Sequence, residues 1–311
     1  MCAAGGGLRP ALAVHALAPL LHTSARQRPT FNIHSAVADP SAEHSATSDY
    51  DEVIRAARQF YRDVLVSLNE GAVPYLVGGA YAYARYTGIK RPTKDFDIFI
   101  RPEDLQRALE VLSGAGLTAE ATFPHWLAKA GRGLHFVDII FSSGNGVARV
   151  DDGWFEHGVP GEVFALPVLL CPPEEMLWSK AFVMERERYD GADVIHLLHA
   201  RGPHLDWPRL VERFDRYWRV LFVNLVLYGF VYPGDPSPAP SWVMDDFMRR
   251  LAEDNAREPS RDRICQGTII SREQYLVDTL ERGYQDGRQE PFGTMSEEEI
   301  RSWTAAITSR K

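Results

Sequence analysis

Cysteine is scarce. The 311 residues hold Cys2, Cys171 and Cys265, and no two of them stand in a Cys-x-x-Cys spacing. A disulfide framework and a zinc ribbon are therefore excluded, and a reducing, cytoplasmic setting is the simple expectation. Basic charge is also in short supply. With 34 Lys and Arg against 42 Asp and Glu, the formal net charge is −8, which excludes a surface that is basic all over and leaves only a local patch for any nucleic-acid contact. Long apolar runs are missing too. The strongest, VLFVNLVLYGFVY at residues 220–232, is well short of the roughly 20 residues a membrane span needs, so a buried helix and no membrane partner are expected. Acids are absent before Asp39, and Pro10, Pro19 and Pro29 interrupt an Ala- and Gly-rich opening. Residues 1–49 are accordingly expected to be a disordered extension or an over-long start of translation.

What is present begins near Tyr50. The segment DYDEVIRAARQFYRDVLVSLNEG carries apolar residues at helical spacing and ends at Gly71; a helix is expected there. VPYLVGG then gives a short strand closed by paired glycines, AYAYARYTG a helix, DFDIFI a strand, PEDLQRALEVLSGAG a helix with Pro102 in its first turn, and HFVDIIF another strand. Alternation of this kind predicts an α/β (α+β) fold with a mixed sheet over residues 50–170. Past Pro172 the pattern turns mainly helical, interrupted by the Pro-rich PGDPSPAPSW, so residues 171–311 are expected to form a helical domain.

Within the apolar DFDIFI, Asp95 and Asp97 are two apart. On a strand that spacing puts both carboxylates on one face, roughly 6–7 Å apart along the backbone. Like charges so placed repel and call for a cation between them, and oxygen-only ligands favour Mg²⁺ or Mn²⁺ over zinc. Gly78 and Gly79, at a strand–helix junction, let backbone approach a ligand and leave helix N–H groups free for an anion such as a triphosphate. Asp138, in HFVDIIF, is a third acid inside an apolar strand; Asp151 or Asp152 is the alternative third ligand. His196, His199 and His204 are too awkwardly spaced around Gly202-Pro203 to form a metal cluster.

Gly78-Gly79, Asp95-Phe96-Asp97 and Asp138, in this order and spacing, resemble the DNA polymerase beta-like nucleotidyltransferase superfamily. The resemblance extends to small bacterial nucleotidyltransferases and abortive-infection type nucleotidyltransferase toxins through Arg91, Thr93, Asp95 and Asp97, and through a downstream helix offering Lys180, Arg188, Asp190 and Asp193. Tyr189 departs from that pattern by separating Arg188 from Asp190. The resemblance implies a nucleotidyltransferase-type mixed sheet with flanking helices and transfer of a nucleoside monophosphate from an NTP, such as ATP, to an acceptor hydroxyl. Asp95, Asp97 and Asp138 would hold the metal, Lys180 would neutralise a phosphate oxygen, and Gly78, Gly79, Arg91, Thr93 and Lys94 would line the nucleotide. The acceptor is left open among a small molecule, RNA and protein. Two alternatives are a catalytically silent nucleotide- or partner-binding member, and a toxin-like effector that modifies tRNA or protein and has an antitoxin-like partner.

Overall fold

A computed structural model of the chain describes residues 40–91, 93 and 95–308, with side chains placed between 55 and 306. The first helix, α1 (Pro40–Glu70), covers the segment expected to be helical and starts earlier, inside the stretch expected to be disordered; residues 1–39 of that stretch lie outside the described residues. Phe60, Tyr61, Val64, Leu65 and Leu68, three or four apart, make its buried stripe. β1 (Leu76–Val77), α2 (Gly79–Thr87) and β2 (Asp97–Phe99) follow. Gly88 ends α2 in the left-handed conformation, φ 75°, its N–H donating to the Ala84 carbonyl at 2.9 Å.

β2 is shorter than the run DFDIFI suggests. The Thr93 hydroxyl accepts from the Asp95 N–H at 3.1 Å and donates to the Asp95 carbonyl at 2.9 Å, a local turn that keeps Asp95 out of the ladder. The alternation still holds: Phe96, Ile98 and Ile100 are fully buried, Asp97 is half-buried and Asp95 exposed.

After α3 (Leu105–Gly114) come β3 (Thr118–Phe123), β4 (Leu127–Arg132) and β5 (His135–Ile140). The short α4 (Asp152–Glu156) leads into the hairpin β6 (Val159–Val163) and β7 (Leu166–Leu170). All seven strands join one sheet in the order β3-β4-β5-β2-β1-β7-β6. The β2–β5 and β1–β7 pairs are parallel and the others antiparallel, the mixed sheet with flanking helices that the sequence predicts.

The C-terminal half is mainly helical. It comprises α5 (Pro173–Ala181), α6 (Gly191–Arg201), α7 (Trp207–Phe214), α8 (Trp218–Val231) and α9 (Ser241–Ala256), then shorter pieces to a last helix at Glu297–Thr308. Tyr50–Lys311 forms one compact unit. Its core is continuous from Phe60 and Leu68 through Ile98, Ile139 and Trp154 to Leu198, Leu210 and Phe247.

One expectation needs correction. α8 is helical but not buried all round: Trp218, Leu221, Leu225 and Tyr228 face the core, whereas Val223, Val226 and Phe230 are 54%, 54% and 81% exposed. A run apolar on every side carries no period from which its outer face could be read. Among the described residues, no helix is long and apolar enough to cross a membrane.

Candidate active site

Three neighbouring strands set the geometry. Asp97 on β2 and Asp138 on β5 are direct partners across the parallel ladder, and Asp138 is in turn the partner of Lys129 on β4. Residues paired across a sheet project to the same face, so Lys129, Asp138 and Asp97 form a row of cation, acid and acid. Val137 and Ile139, the alternate residues of β5, are buried on the opposite face. The strands meet the glycine elbow at β1, where the Gly78 N–H donates to the Asp97 carbonyl at 3.0 Å.

Each glycine of the elbow is demanded by a neighbour. A Cβ on Gly78 would collide with the Phe99 ring, and one on Gly79 would collide with Oδ2 of Asp97. Gly79 also takes φ +51°, which an L side chain rarely adopts. The start of α2, the positive end of its dipole, is thereby brought against the Asp97 carboxylate.

The electrostatics single out Asp97. Burial, then the charges of Asp138 and Asp95, push its carboxyl up to about 6, against the opposing fields of Lys180 and Arg188. Among the described residues, its carboxylate accepts no hydrogen bond and forms no ion pair. Asp138 is raised as well, by burial and by Asp95, although Lys129 donates to its Oδ1 at 2.5 Å and pulls the other way. The Lys129 ammonium also sits over the Phe136 ring, 4.3 Å from its centroid. Tyr61, stacked on Phe96 at 4.8 Å, has its hydroxyl raised by burial, then by Tyr81, Asp95, Asp138 and Asp97.

Beside the acids lies a cationic group drawn from both halves of the chain. Lys180, at the end of α5, donates to Asp190 and Asp193 at 2.9 Å each. Arg188 donates to Asp190 at 3.1 and 3.2 Å, and Arg91 donates to Asp193 while lying 4.5 Å from the Tyr83 ring centroid. Burial alone would lift Asp190, but Lys180 and Arg188 hold its carboxyl below the usual range. Three cations on two acids leave this network one positive charge in surplus, and its Lys180 and Arg188 are the charges that Asp97 feels.

Lys180, expected to neutralise a phosphate oxygen, is held by two carboxylates. Arg188, named with Lys180, Asp190 and Asp193 in the downstream motif but given no role there, stands in the same network. Lys94 lies outside the described residues. The alternative third ligands are committed elsewhere: Asp151 accepts from Arg213 at 2.5 and 2.8 Å, and Asp152 from Arg101 at 2.6 Å. His196 is 3.0 Å from the Tyr83 hydroxyl.

The expected cage of three acids is not formed by the side chains as they stand. Among the described residues no group of three or more His, Cys, Asp or Glu is arranged to hold a metal ion. Lys129 contacts Asp138 and satisfies one oxygen of the third carboxylate with a protein cation. Its place beside Asp138 depends on strand register, which a single sequence does not reveal. Asp95 and Asp97 fit a divalent cation better: both offer hard oxygen donors, and the charge on Asp97 is uncompensated by any contact among the described residues.

A mixed sheet with a glycine elbow and a row of acids is the architecture of a nucleotidyltransferase. The family model described as "Uncharacterised nucleotidyltransferase" matches residues 8–228, and the chain belongs to that family of enzymes. A curated relative from Sphingopyxis alaskensis, named tRNA dimethylallyltransferase, is 31% identical over 179 residues, 55% of this chain and 55% of the relative. The chain therefore spans about half the length of the curated relative it matches. Among solved structures, the antibiotic-resistance factor ANT(2'')-Ia aligns at 14% identity over 57% of this chain and 98% of its own, with a TM-score of 0.37. The lincomycin-bound lincosamide antibiotic adenylyltransferase LnuA aligns at 16% identity over 45% and 94%, with a TM-score of 0.32. Likenesses this loose determine no substrate.

Proposed function

We propose that the protein moves a nucleoside monophosphate from an NTP, ATP being the simplest choice, to an acceptor hydroxyl, with a divalent cation held by Asp95 and Asp97. The observation that carries this is the Asp97 carboxyl, pushed up to about 6 by burial and two neighbouring acids while lying against the elbow of a nucleotidyltransferase fold. A carboxylate kept in that state without a contacting cation is costly, and a bound divalent ion relieves it. When bound, Mg²⁺ or Mn²⁺ would neutralise triphosphate charge and the charge that develops on departing pyrophosphate.

The chain's own residues supply the rest. The Gly78-Gly79 elbow brings the free N–H groups at the start of α2 to the phosphates. Lys180, Arg188 and Arg91, with their surplus charge, draw the polyphosphate to that side of the acids. Thr93 fixes the turn that presents Asp95 to the same approach. Asp138, raised above the usual carboxylate range, is the group suited to take the acceptor's proton. The helical half, 171–311, contributes Lys180 and Arg188 and shapes the acceptor side, where a small molecule, RNA or protein would enter.

Incubation with α-labelled NTPs, Mg²⁺ and each acceptor class in turn tests the proposal. Label is expected on one class with the wild-type protein and on none with the Asp95→Ala/Asp97→Ala variant. Equal labelling by both proteins would contradict it.

A further inference from the structure

The row Lys129–Asp138–Asp97 bears on how many ions the site takes. Sites that use two metals place the ions about 3.5–4 Å apart and share carboxylates between them. Here the outer acid of the row is already joined to a lysine. The Lys129 ammonium reaches Asp138 Oδ1 at 2.5 Å from the neighbouring strand, and it is held there twice over, by ladder register and by the Phe136 ring beneath it. A bound ion at Asp138 would have to stand beside this ammonium or displace it, and either arrangement brings two cations together in a half-buried place.

We propose that this is a one-ion nucleotidyltransferase site, in which Lys129 takes the place of the second metal: it occupies Oδ1 of Asp138 and leaves the other oxygen open to the acceptor's proton. The proposal rests on the nucleotidyl-transfer function above. Asp138 Oδ2 accepts no hydrogen bond among the described residues, so one oxygen is pinned and the other is open. In the transfer step the acceptor O–H proton passes to Asp138 Oδ2, the acceptor oxygen forms its bond to the α-phosphorus, and the bond from that phosphorus to the bridging oxygen breaks. The bond's electron pair leaves with pyrophosphate. Lys129 touches neither nucleotide nor acceptor in this step; it is a positioning residue that decides whether Asp138 acts as base or as ligand.

Ion counting distinguishes the two roles without turnover. Mn²⁺ is titrated into the protein saturated with α,β-methylene ATP, with bound Mn²⁺ counted by equilibrium dialysis and Mn–Mn coupling followed by electron paramagnetic resonance. The wild-type protein should bind one ion per chain and show no Mn–Mn coupling. Lys129→Met should bind two, with coupling, because Asp138 is freed to act as a ligand; Lys129→Arg should return the count to one. Two coupled ions in the wild-type protein would overturn the proposal while leaving nucleotidyl transfer intact. A count of one in folded Lys129→Met would also overturn it. No Mn²⁺ in the wild-type protein would overturn both this proposal and the metal-dependent function beneath it. Should Lys129→Met not fold, the wild-type and Lys129→Arg counts decide the matter.

Discussion

Two regions of this molecule bury carboxylates, and they do so in opposite ways. At the foot of α5, Glu175 is fully buried and is met by Arg209 and, at 3.2 Å, by Arg213, while Arg209 also reaches Glu174 at 2.7 Å. Arg213 continues to Asp151 and holds that carboxyl below the usual range despite burial. Burial raises Glu175, and two arginines in contact oppose it. In the sheet, burial raises Asp97 too, but its opposing cations, Lys180 and Arg188, act at a distance. The first arrangement is met by the protein's own cations and fastens α5 to α7. The second holds a charge that only an incoming cation compensates by contact. Buried acid alone therefore does not mark a functional site; buried acid without a contacting partner does.

Breaking the fastened region should have the largest effect. Arg209→Leu strands Glu174 and leaves Glu175 with Arg213 alone, and is expected to destabilise the protein by about 3–5 kcal/mol in urea denaturation. Replacing Glu174, Glu175 and Arg209 together by uncharged residues of similar volume should recover much of that loss, since no unpaired carboxylate is then left at the foot of α5.

In the open region the sign reverses. Asp97→Asn should stabilise the metal-free protein at pH 7 by about 2 kcal/mol while abolishing transfer. The folded-state carboxyl is raised above its unfolded value, so its contribution to stability is fully present below about pH 4 and is lost as pH rises through about 6. Glu175 is shifted in the same direction, so the difference between the wild-type and Asp97→Asn curves, measured by denaturation across pH 4–8, isolates Asp97. The smallest effect belongs to Arg91→Ala. Arg91 is 49% exposed and Asp193 keeps Lys180, so less than about 1 kcal/mol should be lost, while the apparent affinity for NTP should weaken.

Of this contrast, the residues of the open half were legible from local spacing. Gly78-Gly79, Asp95, Asp97 and Asp138 declare themselves because each violates its surroundings, glycines between apolar residues and acids inside strands. What escaped reading depends on long-range pairing. Lys129 becomes meaningful only once β4 is laid beside β5 in register, and nothing in LAKAGR distinguishes it from a solvated lysine. Lys180 was visible as a basic residue on a helix, but its clamps, Asp190 and Asp193, arrive through the turn between α5 and α6. The outer face of α8 was hidden for another reason, its uniform apolarity removing the pattern that reports orientation.

The most direct test of the contrast is the titration of the Asp97 carboxyl, followed by carbon NMR in the protein without divalent ions and again with saturating Mg²⁺ and α,β-methylene ATP. A midpoint near 6 in the first state, displaced well into the acid range in the second, is the predicted result. A metal-free midpoint near 4, or one that Mg²⁺ leaves unmoved, would contradict the claim that Asp97 is the uncompensated charge around which the site is built.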